Sequence, residues 1–332
     1  MEAIQTLKSY LGSLEIGPPI SHQNLTLFPV TDGQSKDLTY LLLEEAMATG
    51  KFQITELGFG TVPQLRLVNR TGRIVFLMDG EALVGAKQNR TLNTSILAAA
   101  KSNFDIPVSC VEQGRWSYDT PTFRSEKRMM NADLRAMKAG HVHASLTRKR
   151  GFRSDQGALW DEIADMSQRR QAYSPSGAMS AIHDEDRSLV QDYEKAFHPV
   201  PGQIGALFFL NGRTAGLDAF GRQETLVRVF SKLLRSYALD AVDRYDPAGS
   251  PPLPEIEAQA FVEACAKARV EVFPAVGLGQ DGRLSSLRIV GFALALEGQL
   301  FHLSAFSRSG AGDHSRTRMN RFTQRLNHAE RI

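Results

Sequence analysis

The chain has 332 residues, of which 42% are hydrophobic and 23% charged, with a formal charge of +3 and two cysteines. That length supports one large or two ordinary domains with a substantial core, and the composition excludes a disordered chain. No apolar run approaches the roughly 18 residues of a bilayer span, and the N-terminal residues lack the basic-then-apolar layout of a secretory signal.

Cys110 and Cys265 are too few for a disulfide framework, and no Cys/His set has zinc-site spacing. A cytoplasmic protein with free thiols, no membrane partner and no metal site is therefore expected. The positive charge is uneven. Residues 308–332 hold six Arg against Asp313 and Glu330, and residues 124–153 hold nine Lys or Arg against Glu126 and Asp133. The remainder is net acidic, so the basic segments and not the core set the overall balance.

Residues 2–14 read as a short amphipathic helix through Ile4, Leu7, Leu11 and Leu14, ended by Gly17 and two prolines. A strand over 25–28 is halted by Pro29, and a helix over 38–48 closes at Gly50. Alternation then predicts strands at 52–57, 64–69 and 74–78, and further strands at 91–97 and 104–111. Helices are expected over 126–138, over 157–171 with Ser154 or Asp155 as cap, and over 184–197. A strand over 204–210 runs into the turn dipeptide Asn211-Gly212. Residues 225–242 carry one apolar stripe of Leu226, Val229, Phe230, Leu233, Leu234, Tyr237 and Ala241. After a Pro-rich linker at 246–254, a helix over 256–268 and strands at 270–276, 286–296 and 300–306 close the pattern.

The elements predict an α+β fold. Two β-rich halves, 15–122 and 201–307, flank a charged helical insert over 123–200, and the long amphipathic helix packs on the second sheet. Residues 308–332 form a basic tail expected to be disordered and able to add nonspecific affinity for anions. The apolar runs ending in Asp79-Gly80 and Asn211-Gly212 hint at an internal repeat, or at two hairpins sharing turn chemistry.

The polar residues of interest come directly after the strand at 74–78. Asp79, Glu81, Lys87, Gln88, Asn89 and Arg90 crowd into one stretch, and Cys110, Glu112, Arg115 and Trp116 lie at and beyond the end of another expected strand, 104–111. Lys87, Arg90 and Arg115 suit an anionic group, with Gln88 and Asn89 reading a base or ribose edge. The bland alternative is a polar hairpin with internal ion pairs. Glu81 and Glu112 could act as acid and base or share a cation, or else neutralise Arg90 and Arg115. Cys110 needs a nearby base or positive field to be a nucleophile and is otherwise a small buried hydrophobe. Trp116 could stack on a nucleobase or close the core. His22 is a further pocket candidate. The 183–186 segment has the composition of a metal site but also suits a helix N-terminus.

The motifs Gly80-Glu-Ala-Leu-Val-Gly-Ala-Lys-Gln-Asn-Arg90 and Ile106-Pro-Val-Ser-Cys-Val-Glu-Gln-Gly-Arg-Trp116, with Asn93, resemble a bacterial family. It is the ARG and rhodanese-phosphatase-superfamily-associated domain, whose activity is not established. The resemblance extends over most of 15–307, including 17–29 and 212–241. Its name implies association with ADP-ribosylglycohydrolases and rhodanese-phosphatase-type proteins. The resemblance implies a protein that binds, and could process, an ADP-ribose-like or phosphorylated ligand, with no cofactor assigned. The alternatives are a noncatalytic scaffold for neighbouring enzymes and an RNA-binding protein using residues 124–153 and the tail.

Overall fold

Residues 25–30, 203–210, 289–295 and 300–306 are extended runs buried almost without interruption, so the sheet they build has two faces to cover, and the helices are placed to cover them. The structure is a computed structural model that describes residues 2–32, 39–61, 63–115, 120–247 and 255–308. The chain opens with helix α1 (Glu2–Ser13) and strands β1 (Leu14–Ile16), β2 (Ile20–His22) and β3 (Leu25–Asp32). Strand β4 (Leu41–Leu42) and helix α2 (Leu43–Ala48) come after them. Next are β5 (Phe52–Thr61), β6 (Gln64–Asn69), β7 (Val75–Leu77), β8 (Glu81–Gly85), β9 (Arg90–Leu92), β10 (Ile96–Ala98), β11 (Ser102–Cys110) and β12 (Phe123–Met129). Helices α3 (Ala132–Thr147), α4 (Gln156–Arg169), α5 (Ser180–Glu185) and α6 (Arg187–Ala196) make the insert. The remainder is β13 (Gln203–Leu210), β14 (Arg213–Phe220), α7 (Gln223–Asp243), α8 (Glu255–Lys267), β15 (Arg269–Pro274), β16 (Gln280–Ser285), β17 (Ile289–Leu296) and β18 (Gln299–Ser307).

The fold is α+β. A nine-stranded sheet runs β1-β3-β13-β14-β18-β17-β16-β15, with β2 also on β3, so residues 14–32 join the sheet built by 203–307. A six-stranded sheet, β12-β8-β9-β11-β6-β5, and a three-stranded sheet, β10-β7-β4, enclose a second core of Leu65, Leu67, Leu77, Leu83, Ile96 and Ile106. Successive residues of a strand face opposite ways. Phe208 stacks on Tyr237 of α7 at 3.8 Å between ring centroids, while Phe209 joins the core under α1 and α8. The stripe expected over 225–242 thus lies buried against this sheet. Each large apolar side chain it buries contributes about 1.5–3 kcal/mol. Among the described residues no helix is long and apolar enough to cross a membrane.

Several elements differ from the sequence expectation. The strand at 25 does not stop at Pro29 but continues to Asp32. The Pro29 carbonyl accepts from Gly17 N, and its missing N–H faces that same break between β1 and β2, so no ladder bond is lost. The expected helix over 38–48 begins only at Leu43, after β4, with the Glu45 carboxylate accepting from Leu42 N. Residues 126–129 are strand, because Arg124, Glu126 and Arg128 alternate along the edge strand β12. The expected strand over 91–97 splits into β9 and β10 of different sheets. The helix expected over 184–197 divides at Asp186 into α5 and α6. Strand β16 had no apolar pattern to show it, since its Asp281 and Arg283 neutralise each other inside the fold, Arg283 Nε lying 2.6 Å from Asp281 Oδ1. The repeat hint dissolves. Asn211-Gly212 closes the β13–β14 hairpin with φ of 48° and 72°, whereas the strands flanking Asp79-Gly80 belong to different sheets. Linker residues 248–254 and tail residues 309–332 lie outside the described residues.

Candidate functional site

Register brings the two sequence motifs together. On β9, Arg90 is paired with Leu83 of β8 on one side and with Cys110 of β11 on the other. The β8–β9 connection then folds over the end of β11. Ala86 sits there at φ 45°, a left-handed conformation uncommon for a residue with a side chain. Its carbonyl accepts from Arg115 Nη1 at 2.8 Å. Arg115 also donates to Asn89 Oδ1 at 3.1 Å and, through Nε and Nη2, to Glu112 Oε2 at 3.0 and 2.7 Å. Glu112 further accepts from Asn89 N at 3.0 Å and, on Oε1, from Ser176 Oγ at 2.8 Å. The helical insert is therefore stitched to the strand end. Gly114 N donates to Ser176 O at 2.7 Å, an approach in which a Cβ on Gly114 would meet Ser176 Cα at 3.0 Å.

Burial pushes the Glu112 carboxyl up. The hydrogen bonds from Arg115, Asn89 N and Ser176, with the Arg115 charge, outweigh that and hold it below the usual carboxylate range. Cys110 is fully buried, and its sulfur lies 3.2 Å from Gln88 Oε1 and 3.1 Å from the Glu112 carbonyl, two alternative acceptors for its one S–H. Burial pushes this thiol up despite the Arg90 charge, so it is neutral at physiological pH.

Arg90 is enclosed, not presented. Nη1 donates to Gln88 Oε1 at 2.7 Å, and Nη2 lies 3.7 Å from Glu56 Oε1. Its Nε and Nη2 make no hydrogen bond, nor does Glu56 Oε2. Gln88 Nε2 reaches Gln113 O at 3.3 Å. Lys87 is half-buried, its backbone N–H 3.4 Å from Glu56 Oε1. The structure thus gathers Gln88, Asn89, Arg90, Cys110, Glu112 and Arg115. Glu81 is not among them, because its buried carboxylate turns to Lys232 of α7 and to Met78 N. Trp116 lies outside the described residues. His22 packs edge-on against Tyr193 and Phe197, away from this cluster. Asp184 and Asp186, suggested as metal-type ligands, pair with arginines: Arg128 and Arg187 at 2.6 Å for the first, Arg170 at 2.6 Å for the second.

A cleft of about 380 Å³ opens beside the cluster, lined by Gln113, Trp160, Gln168, Gln171, Tyr173 and Gly177, among others. Helix α4 supplies the indole, and Asp155 caps that helix by accepting from Ala158 N. The half-buried Trp160 directs its Nε1 toward Cys110 without forming a hydrogen bond of ordinary geometry. Tyr173 is 85% exposed at the cleft edge. In the sequence Trp160 is one apolar position of a helix, and nothing there sets it apart.

A second polar cluster shares only Asp79 and Gly80 with the motifs singled out in the sequence. Arg135 of α3 donates to Asp79 Oδ2 at 3.2 Å, to Asp218 at 3.1 and 2.7 Å and to Ser304 Oγ at 3.1 Å. Lys138, one turn on, lies 2.8 Å from Asp79 Oδ1 and donates to Leu92 O. Tyr237 donates to Asp218 at 2.8 Å, His302 Nε2 lies 3.2 Å from the same carboxylate, and His302 Nδ1 is 2.7 Å from Ser95 Oγ. Ser95 Oγ accepts Asp79 N–H at 2.9 Å, which closes the ring. Gly80, at φ 79°, completes the turn, and a Cβ there would meet the Arg135 side chain at 3.0 Å.

Ser95, His302 and Asp218 have the composition of a hydrolytic triad, but all are at most 1% exposed and no substrate carbonyl could reach the hydroxyl. The ring joins the nine-stranded sheet, α3 and the two smaller sheets. Burial pushes Asp218 up, but the Arg135 charge and the hydrogen bonds from His302 and Arg135 hold it far below the ordinary carboxylate range. One signal was visible: Asp218 and His302 interrupt apolar strand runs, and Arg135 and Lys138 share a helix face. Two of the nine basic residues at 124–153 are therefore interior, and do not face a nucleic acid.

No curated protein and no solved structure matches the chain. A family profile does, over residues 13–306, which takes in both smaller sheets, the insert, the cluster around Glu112 and the nine-stranded sheet almost to its last residue. The chain belongs to the family of the ARG and Rhodanese-Phosphatase-superfamily-associated Protein domain.

Proposed function

We propose that the Trp160 cleft binds a nucleotide- or ADP-ribose-like ligand, and that the chain serves neighbouring enzymes as a ligand-binding partner. The observation that carries this reading is the cleft's lining, an indole, an exposed phenol and three glutamine amides around about 380 Å³. That volume lies within the ~300–1,000 Å³ of small-molecule sites. Aromatic faces stack on any base for about 1–3 kcal/mol, and an amide offers the paired donor and acceptor that a base or ribose edge requires. We assign the phosphate contact to Arg115, two residues from Gln113, 20% exposed and paired with Glu112. Gln88, Asn89, Arg90 and Glu112 then shape the wall, Gln88 by holding the Gln113 carbonyl.

Binding is favoured over chemistry by the state of the candidate catalytic groups. Both Glu112 oxygens are engaged, Cys110 is a buried neutral thiol and Glu81 is held by Lys232. The family name, which records association with other proteins and no reaction, agrees with a partner role. A thermal-shift screen of ADP-ribose, NAD and mononucleotides tests the reading. Ligand at 100 times its Kd adds about 2.7 kcal/mol of apparent stability. The gain is expected in the native chain and lost in Trp160→Ala. No shift from any of these ligands would refute it.

A further inference from the structure

Helices α5, α6 and α7 and strand β12 enclose a separate hollow of about 260 Å³, lined by Arg128, His183, Arg187, Val190, Gln191, Glu194 and Arg235. Three of its charged residues are arginines and one is a carboxylate. Arg128 and Arg187 share Asp184, each at 2.6 Å, and Arg235 pairs with Glu194 at 2.8 Å. Arg128 also lies 3.6 Å from Glu126, which it shares with Arg124, so four guanidinium charges meet three carboxylates here, and Asp184 is half-exposed. It can return to water cheaply if another anion takes its place.

The second observation is His183. The residue is only 9% exposed, and its Nε2 is buried with no hydrogen-bond partner. Burial, then the Arg128 charge, pushes the ring down to about 3, and its N–H interacts with the Met129 backbone. The ring is therefore neutral, with Nε2 as a bare acceptor. None of the arginines donates to it. A buried acceptor left in this way calls for a donor that the protein does not supply.

We infer that this hollow binds a monoanionic phosphate group that keeps a P–OH, free or as a small monoester. Its anionic oxygens meet Arg128, Arg187 and Arg235, and its P–OH donates to His183 Nε2. Few ligands combine these features, several oxygens for guanidinium forks and one acidic hydroxyl for a neutral imidazole. Sulfate has the same shape without the proton. It would set an oxygen lone pair against the His183 lone pair. A hollow of this size admits the phosphate and a small organic group, not a second nucleotide.

The test uses the full chain at pH 6 and titrates inorganic phosphate, glycerol 3-phosphate and sulfate by calorimetry. Phosphate should bind saturably and at least about tenfold tighter than sulfate, the worth of one hydrogen bond to a charged group. His183→Leu should abolish that preference, and Arg187→Ala, on an exposed position of α6, should weaken both anions. Should His183→Leu fail to fold, the wild-type preference and the Arg187→Ala loss decide. Binding of glycerol 3-phosphate assigns the site to monoesters, and its failure beside bound phosphate assigns it to the free ion. Trp160→Ala should change none of these affinities, which separates this site from the nucleotide cleft. Absence of saturable phosphate binding, equal affinity for sulfate (as a site filled only by water would give), or loss on Trp160→Ala overturns the inference.

Discussion

Asp218→Ala tests whether the buried ring holds the sheets together. Asp218 is fully buried and receives two bonds from Arg135, at 3.1 and 2.7 Å, one from Tyr237 at 2.8 Å, and lies 3.2 Å from His302 Nε2. Its removal leaves the Arg135 guanidinium in the interior with Asp79 as its remaining carboxylate, and two further groups without an acceptor. Breaking a buried pair by removing one partner costs about 3–5 kcal/mol, most of it the stranded charge. With a stability of about 5–15 kcal/mol for a typical domain, the variant should be close to unfolding at room temperature. Urea denaturation tracked by circular dichroism reads the loss as a lower midpoint at unchanged slope. Adding Arg135→Met removes the stranded charge, so the double variant should be more stable than Asp218→Ala alone. Because the folded Asp218 carboxyl is depressed, its contribution is full above the unfolded value of about 3.9 and is lost as pH falls below it. A loss under about 1 kcal/mol for Asp218→Ala would show that the ring is not structural.

The same geometry sets three further outcomes. Lys232→Met strands the Glu81 carboxylate under α7 and should cost about 3 kcal/mol in urea, most of it recovered by adding Glu81→Gln. Full cost in the double variant would mean that the pair is not the reason. Burial pushes the Asp240 carboxyl up to about 8, so the folded chain holds a proton that the unfolded chain has released above about pH 4. Stability from this group should therefore decline between about pH 4 and pH 8. Asp240→Asn should flatten that decline in thermal melts, and an unchanged slope would contradict it. Burial pushes both thiols up, Cys265 to about 12, so neither cysteine should react with a disulfide reagent at pH 8 until urea is added. One rapid equivalent in the native chain would show that Cys110 is reachable.

Features carried by local periodicity or turn chemistry were legible in the sequence. The stripe of α7, the Asn211-Gly212 hairpin and the Asp155 cap each depend on residues within one or two turns of each other. Residues 88–90 and 110–115 do come together, but through β9, which Arg90 opens and which pairs with β11; the strand at 74–78 that the sequence set before the first motif lies in another sheet. What they do to each other was not legible, since Arg90 and Glu112 spend their charge internally. The Asp79–Arg135–Asp218–His302 ring joins residues separated by tens to hundreds of positions, and no periodicity relates them. Trp160 was hidden for another reason: it occupies an ordinary helical position, and only the packing of the insert shows that it lines a cleft. His183 stood out only for its metal-type company with Asp184 and Asp186, and it is the packing that shows its nitrogen without a partner.

The most direct measurement is isothermal titration of ADP-ribose and mononucleotides into the native chain, Trp160→Ala and Arg115→Ala. Saturable binding is predicted for the native chain. Trp160→Ala should weaken it by at least about tenfold through lost stacking, and Arg115→Ala should weaken phosphorylated ligands while sparing the unphosphorylated nucleoside. Binding unaffected by both substitutions, or no binding at all, would contradict the placement of the nucleotide site in the Trp160 cleft.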